Sequence, residues 1–222
     1  MHLVYFVGDP AGGDLRYVRS QDGAKTFPPS LAVNTRPGSA IALGNVRGAQ
    51  IAIGKNGRVH VVWNGVLAKE PGSANATGRP SEPMSYTRLR DDGGCFEPER
   101  DMIATHHGLD GGGAVAADAG GNVWVVWHAP DEHGEGEEAR RVWVAHSSDE
   151  GESFDPEMAA SQPGTGVCPC CGLGAIARDG GGLAILYRMA EKRENRHTVL
   201  LSQTQRAEPF DARSIDPWKV PT

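Results

Sequence analysis

The sequence lacks three features that would place it in common protein classes. It has no apolar run long enough to span a membrane, and no segment of useful length carries the period of a helix. It has no basic stripe, because 22 Lys and Arg stand against 28 Asp and Glu and give a net charge of −6. The start, MHLVYFVG, lacks the basic residues and the cleavage site of a signal peptide. We therefore expect neither membrane insertion nor a nucleic-acid partner.

Glycine, proline and β-forming residues are abundant. The 222 residues include 30 Gly and 15 Pro, and the turns that these mark separate runs rich in Val, Ile, Trp and Tyr. Such a pattern is typical of many short antiparallel strands. The length suits a single all-β domain with one shared core.

One eight-residue pattern follows three of the predicted strands. It reads SQDGAKTF, LRDDGGCF and SSDEGESF, with a weaker echo near Phe210. In each copy the Asp can accept hydrogen bonds from backbone N–H groups beyond it, the Gly can take a positive φ, and the Phe can fold back onto the apolar layer. We therefore expect the three Phe side chains to be buried at equivalent corners. The residues of these turns are Ser20, Asp22, Phe27, Asp91, Gly93, Phe96, Ser147, Asp149, Gly151 and Phe154.

A second pattern shares the period of the first. Three segments read as strand, Gly-rich turn and strand ending in an aromatic residue, at Trp63, Trp127 and Tyr187. Two markers in register indicate a repeat of supersecondary units, and each unit parses into four antiparallel strands. That is the plan of a β-propeller. We expect its blades at about residues 1–34, 48–104, 113–160 and 173–222.

The eight-residue pattern resembles the Asp box, the bacterial neuraminidase repeat of sialidase-like β-propellers. The third copy matches the Asp box fully. In the first copy Ala24 stands where the Asp box has Gly, and in the second copy Leu89 stands in place of Ser and Cys95 in place of Thr. The resemblance covers essentially the whole chain and implies a propeller of six blades. The first unit lacks its inner strand, and the whole chain supplies less than four full blades. This favours a fragment of a longer propeller, with remaining blades in a parent chain, over a small four-bladed ring with an open edge.

Long loops identify the face on which a ligand site is expected. The turns between strands one and two are short, whereas the connections on the face opposite the Asp boxes are long. Alignment of the units brings polar residues to the starts of the inner strands and the ends of the second strands, around one mouth of the central channel. Alternatively, these side chains only satisfy loop backbones in a wet channel. The candidate ligand-binding residues are Arg47, Asn64, His107, Asp110, His128 and Arg188.

Three of the four cysteines, Cys168, Cys170 and Cys171, fall within four positions. Joined by His106 from the neighbouring blade, their thiolates could bind copper or zinc, although the spacing is not that of a zinc knuckle. A disulfide between Cys168 and Cys171 in an exported protein, or a reduced and inert loop, are the alternatives. The sequence establishes no cofactor.

The resemblance also implies sialidase chemistry, for which this chain lacks part of the catalytic set. The chemistry of sialidases uses three arginines on the substrate carboxylate, a Tyr nucleophile activated by a Glu, and an Asp acid/base. The segment NTRPG does not match the Arg-Ile-Pro motif of the family, and all four tyrosines fall in predicted strands. If the parent protein is an enzyme, we expect an exo-sialidase-like glycoside hydrolase whose catalytic set is incomplete in this chain.

Two functional hypotheses therefore stay open. The first is a sialidase-like propeller that takes a carbohydrate or other small ligand on its long-loop face. The second is a non-catalytic exported propeller that binds a protein partner, or a soft metal through residues 168–171. In both cases we expect the parent protein to be extracellular or periplasmic.

Overall fold

The computed structural model describes residues 1–44, 46–66, 82–131, 134, 136–178, 180–191, 196–206 and 208–215. Parts of two predicted blades, residues 67–81 and 216–222, lie outside these ranges. The described chain forms fifteen strands and one short 3-10 turn, at Lys55–Gly57, so the fold is all-β as predicted. No helix in the described ranges is long and apolar enough to cross a membrane.

The strands form four antiparallel sheets that follow one another along the chain, and we number these sheets as blades 1 to 4. Blade 1 contains β1 (His2–Asp9), β2 (Gly12–Arg19) and β3 (Leu31–Ala32). Blade 2 contains β4 (Gln50–Ile53), β5 (Val59–Asn64), β6 (Met84–Arg88) and β7 (Arg100–Asp101). Blade 3 contains β8 (Ala114–Ala117), β9 (Val123–Pro130), β10 (Arg140–Ser147) and β11 (Met158–Ala159). Blade 4 contains β12 (Gly174–Arg178), β13 (Gly182–Arg188), β14 (Thr198–Gln203) and β15 (Asp211–Ser214).

The order of the strands agrees with the sequence-based assignment. Blade 1 has three strands and the other blades have four, so the inner strand of blade 1 is the one that the described chain does not supply. The inner strands β4, β8 and β12 are neighbours, with β8 in the middle. This is the arrangement of propeller blades around an axis.

Apolar side chains fill the space between neighbouring blades. In β9, Val123, Val125 and Trp127 belong to the cluster shared with blade 2, while Trp124 and Val126 belong to the cluster shared with blade 4. Successive side chains of a strand point to opposite faces. A strand with a blade on each side therefore needs an apolar residue at every position, which accounts for the unbroken run VWVVW.

The third predicted Asp-box turn has the hydrogen bonds expected of it. Ser147 Oγ donates to Asp149 Oδ1 (2.6 Å) and accepts from the N–H of Gly151 (2.8 Å). The N–H of Ser153 also donates to Asp149 Oδ1 (2.9 Å). The hydrogen bonds from Ser147 and Ser153 hold the pKa of the Asp149 carboxyl well below its usual range. The carboxylate therefore ties the turn together.

The first turn repeats this arrangement with one substitution. Ser20 Oγ donates to Asp22 Oδ1 (2.7 Å) and accepts from the N–H of Ala24 (2.8 Å), and Thr26 takes the place of the later Ser. Ala24 stands where the third turn has Gly and adopts a φ of 70°. A non-glycine residue in this left-handed region is strained.

The second turn is different, and Asp91 does not hold it as predicted. Leu89 has no hydroxyl to accept a hydrogen bond, so the N–H of Gly93 donates to the carbonyl oxygen of Arg90 (2.9 Å). Asp91 instead forms a salt bridge with Arg58, and its side chain is 88% exposed. Loss of the Ser removes the group that would anchor the Asp, and the carboxylate turns outward to the nearest cation.

The three Phe residues are not equally buried. Phe96 packs edge-on against Tyr17 of the preceding blade, with ring centroids 5.5 Å apart, and Phe154 packs in the same way against Tyr86, at 5.0 Å. Phe27 is 42% exposed, so the prediction of its burial is wrong. In the described chain no blade precedes blade 1, and Phe27 therefore has no equivalent tyrosine to cover it.

Candidate functional site

The starts of the three inner strands converge on one mouth of the channel, which we define by Arg47, Asp110 and Cys171. Glycines permit the approach. A Cβ on Gly112 would overlap the carbonyl oxygen of Val46, just before β4. A Cβ on the neighbouring glycine, residue 111, would lie 3.4 Å from the carbonyl oxygen of Cys171, just before β12. Blades 2, 3 and 4 thus meet here, at the end of the blades opposite the Asp-box turns.

Arg47 and Asp110 form a polar group at the mouth, in which Asp110 is exposed and Arg47 is half-buried. Arg47 Nη2 lies 2.7 Å from Asp110 Oδ1, and Arg47 Nε lies 3.4 Å from Glu82 Oε2. The side chains of Arg47, Asp110 and Glu82 are 21%, 53% and 29% exposed. Exposed ion pairs of this kind contribute only about 0–1 kcal/mol to folding. The side chains are therefore available for contacts with a ligand at little cost to the fold.

Asn64 lies beneath this group at the end of β5. It is fully buried, and its Nδ2 donates to the carbonyl oxygen of Gly111 (3.0 Å) and to Glu82 Oε2 (3.5 Å). Its Oδ1 has no partner among the described residues. A buried amide oxygen without a donor is costly in a native protein.

His128 occupies the equivalent position in blade 3. It is fully buried, and Arg140 Nε donates to its Nδ1 (2.9 Å). Since the guanidinium can only donate, Nδ1 is the acceptor and the proton lies on Nε2. Burial, with smaller contributions from Arg140 and Arg47, lowers the pKa of His128 to about 3. The imidazole is therefore neutral, and its Nε2–H has no partner in the described part of the chain.

Arg140 supplies a buried positive charge behind the mouth. Its Nη2 donates to the carbonyl oxygens of Gly108 (2.6 Å) and His128 (3.0 Å). Burial lowers the pKa of this guanidinium, whereas Asp110 and Glu137 raise it. The positive charge of Arg140 is therefore balanced in part by the carboxylate of Asp110, which faces solvent at the mouth.

The cysteine loop borders the same mouth. The N–H of Cys168 donates to the carbonyl oxygen of Arg188 (2.9 Å), at the end of β13, and the N–H of Cys171 donates to the carbonyl oxygen of Cys168 (3.3 Å). The sulfur of Cys168 lies 3.2 Å from the sulfurs of both Cys170 and Cys171. Arg188 is half-buried, and its side chain has no salt bridge with a described residue. Its backbone thus anchors the start of the cysteine loop.

His106 is not a member of the thiol group, so the prediction that it completes a metal site is wrong. Its ring stacks on Trp143, with centroids 3.3 Å apart, and its Nδ1 lies 2.7 Å from Glu157 Oε1. Among the described residues, the potential ligand atoms that cluster within 4.8 Å are the three sulfurs alone. A carboxylate and an indole within blade 3 hold the imidazole over β10. His107, next along the loop, is exposed.

Sequence reasoning missed two residues of the mouth, Glu82 and Arg140. Both stand at or just before the start of the third strand of a blade, and Arg140 pairs with Pro130 at the end of the second strand. In an antiparallel blade the end of strand two and the start of strand three share one edge. Inspecting the starts of the third strands as well would have found them.

A second surface feature lies on the Asp-box face. An open cavity of about 760 Å³ is lined by Arg58, Arg88, Arg100 and acidic residues of blades 2 and 3. These arginines are already engaged: Arg58 with Asp91, Arg88 with Glu97 (2.9 Å), and Arg100 with backbone carbonyls. Arg58 also pairs with Glu150 of blade 3 (3.0 Å), so ion pairs within and between blades occupy much of this cavity.

Comparison with known proteins supports the fold. No family model matches the sequence, and no curated protein matches it. Similar solved structures include a Hadza microbial sialidase, with 14% identity and a TM-score of 0.53 over 91% of this chain and 45% of that chain. A protein of unknown function from Dyadobacter fermentans has 14% identity and a TM-score of 0.59 over 93% of this chain and 59% of that one. A variant of the Aleuria aurantia lectin, in complex with Fucα1-6GlcNAc, has 12% identity and a TM-score of 0.56 over 99% of this chain and 58% of that one.

These likenesses establish the architecture. Structures similar to this chain are sialidases and other β-propeller glycosidases and lectins, so the chain has a sialidase-like propeller fold. It spans 45, 59 and 58% of the length of these three structures. At such low sequence identities the structural similarity establishes the fold but not the activity.

Proposed function

We propose that this chain is a carbohydrate-binding part of a β-propeller and that its ligand, a glycan, docks at the mouth defined by Arg47, Asp110 and Cys171. The observation that carries the proposal is the polar group of Arg47, Asp110 and Glu82, all of which reach solvent, held beside the point where the inner strands of blades 2, 3 and 4 begin. A rigid scaffold that presents polar side chains at the convergence of several loops is a common form of binding site.

The chemistry of the mouth suits a ligand rich in hydroxyl groups. Carboxylates accept hydrogen bonds from sugar hydroxyls, and the planar guanidinium of Arg47 donates several in a fixed geometry. Arg188 adds a cation with no salt bridge to a described residue, which suits a carboxylate or another acceptor on the glycan. Below them, Asn64 Oδ1 and His128 Nε2 lack partners among the described residues and can accept and donate one hydrogen bond each.

Binding is a better interpretation than sialidase catalysis for this chain. All four tyrosines lie within strands: Tyr5 in β1, Tyr17 in β2, Tyr86 in β6 and Tyr187 in β13. Tyr17, Tyr86 and Tyr187 are buried, and none of the four stands in a loop of the mouth. The nucleophile that the sialidase chemistry requires is therefore not available at the proposed site. An extracellular or periplasmic location, where glycans are met, is part of the proposal.

Glycan-array binding by the purified chain tests the proposal. We expect binding to a subset of glycans, weakened about tenfold or more by Arg47→Ala and by Asp110→Asn, because each loses a ligand contact worth at least about 1.4 kcal/mol. Arg206→Ala is the matched control, since it removes an exposed arginine paired with Asp155, away from the mouth. Failure to bind any glycan, or unchanged binding by Arg47→Ala, would overturn the proposal.

A fluorogenic sialoside separates binding from catalysis in the same preparations. We expect no turnover above background. Turnover that Arg47→Ala abolishes would show that the mouth is an active site of the sialidase type and would replace the binding role.

A further inference from the structure

The cysteine loop is built so that three sulfurs meet at one point. Cys168 Sγ lies 3.2 Å from the sulfurs of both Cys170 and Cys171, and all three lie within 4.8 Å of one another. Cys168 is buried, Cys171 is half-buried and Cys170 is exposed. The group therefore has a buried base and an opening to solvent, through which an ion can enter.

Backbone contacts anchor the start of the loop to two blades. The N–H of Val167 donates to the carbonyl oxygen of Glu137 (3.0 Å), and the N–H of Cys168 donates to that of Arg188 (2.9 Å). Gly166 has a φ of 64°, and a Cβ there would overlap the carbonyl oxygen of Ala190. The loop is thus pinned between blades 3 and 4, so little conformational freedom would be lost when the sulfurs share a ligand.

We propose that Cys168, Cys170 and Cys171 bind one Cu(I) ion through their three thiolates. Soft thiolates select soft metals, Cu(I) among them. A disulfide would use two of the three sulfurs and leave the third without a role, although Cys168 is equally close to both of the others. A single ion uses all three donors at once.

The donor set favours Cu(I) over Zn(II). Structural zinc is almost always bound by four ligands. In the described residues, the ligand group contains no His, Asp or Glu in addition to the three cysteines, and His106 is held elsewhere by Glu157 and Trp143. Three thiolates with Cu(I) leave a net charge of −2. The guanidinium of Arg196 interacts electrostatically with Cys168 and Cys170, although its salt-bridge partner Glu137 acts on Cys170 in the opposite direction.

Binding involves no change of oxidation state. Each of the three thiols releases its proton to solvent as its sulfur bonds to the ion, and the copper enters and stays as Cu(I). Cys171 borders the mouth at which the glycan is proposed to dock, but the side chains proposed to contact the glycan, Arg47, Asp110 and Glu82, are not copper ligands. Loss of one function therefore need not remove the other.

Anaerobic titration of the reduced chain with Cu(I), in competition with a chromogenic Cu(I) chelator, tests the inference. We expect one ion per chain and a three-sulfur environment by X-ray absorption. Cys170→Ser should weaken binding more than about 100-fold, because losing a residue that merely orients a ligand already costs roughly 10–100-fold. Cys170 is exposed, so its replacement should leave the fold intact, which near-UV circular dichroism will check.

Cys95→Ser is the control, since Cys95 is an exposed cysteine in the second Asp-box turn, and it should bind copper as the parent does. Arg47→Ala should also retain copper, even if it no longer binds glycan. Unchanged copper affinity in Cys170→Ser, a preference for Zn(II) over Cu(I), or a disulfide within residues 168–171 that persists in the reduced preparation would each overturn the inference.

Discussion

The ring of Phe154 packs edge-on against the ring of Tyr86, with centroids 5.0 Å apart and planes inclined at 77°. The two residues belong to neighbouring blades, so the aromatic that closes an Asp-box turn also joins its blade to the one before. Phe96 and Tyr17 repeat the contact one blade earlier, at 5.5 Å and 82°. In these two copies the turn therefore reverses the chain and, through its Phe, also packs one blade against the one before.

This contact predicts unequal effects of the same substitution at two equivalent positions. Phe154→Ala should lower the free energy of unfolding by about 2–3 kcal/mol, because it removes a partly buried ring and an edge-to-face contact. Phe27→Ala should cost less than about 1 kcal/mol, because that ring is 42% exposed. Urea denaturation of both variants measures the difference. Equal losses would show that the contact with Tyr86 is not what stabilises the turn.

The carboxylates of the turns should differ in the same way. Asp149→Ala removes the acceptor for Ser147 Oγ and for the N–H of Ser153, and should lower the free energy of unfolding by about 1–2 kcal/mol. Asp91→Ala removes an exposed ion pair with Arg58 and should cost less than about 1 kcal/mol. Thermal denaturation compares the two. A melting temperature of Asp149→Ala equal to that of the parent would contradict the role given to this carboxylate.

Much of the fold was accessible from the sequence because two independent markers recur in register. Trp63 and Tyr187 are the next-to-last residues of the second strands β5 and β13, whereas β9 continues past Trp127 to Pro130. Blade 1 lacks its inner strand in the described chain, as predicted. The same alignment placed Arg47 and Asp110 at equivalent starts, and they form an ion pair. Register in a repeat fixes which positions meet at the axis, so such neighbours can be read from spacing alone.

Other features could not be predicted from the repeat, because they depend on contacts that differ from blade to blade. His106 was expected beside the cysteines, but Glu157 and Trp143 hold its ring within blade 3. Arg140, the partner of the buried His128, stands at the start of a third strand, a position that an alignment of inner-strand starts and second-strand ends does not include. Side-chain partners in loops are set by local geometry, which period and spacing do not encode.

Ala24 offers a test in the stabilising direction. Its φ of 70° costs a non-glycine residue roughly 1–2 kcal/mol. A glycine would relieve this strain, but part of the gain would be lost because glycine raises the conformational entropy of the unfolded chain. Ala24→Gly should therefore raise the free energy of unfolding by about 0.5–1 kcal/mol. At the equivalent position of the third turn, Gly151→Ala should do the opposite, because φ is 79° and a Cβ would overlap the hydroxyl of Tyr86. Urea midpoints of the two variants that move in the same direction would refute this account.

His60 should make the stability of the chain depend on pH. It is fully buried in β5, with Nδ1 2.9 Å from the hydroxyl of Tyr86, and burial, with Arg58 and Arg88, lowers its pKa to about 3. Its usual pKa is about 6.5, so between these values the unfolded chain binds a proton that the folded chain does not. The stabilising effect is therefore complete above about pH 6.5 and is lost as the pH falls toward 3. Between about pH 7.5 and pH 5.5, this residue should account for a loss of about 1.4 kcal/mol in the free energy of unfolding.

The His60→Gln variant, whose side chain does not titrate, tests this. Over the same pH interval its free energy of unfolding, measured by urea denaturation, should fall by about 1.4 kcal/mol less than that of the parent. Parallel losses in the two proteins would mean that His60 is protonated in the folded chain.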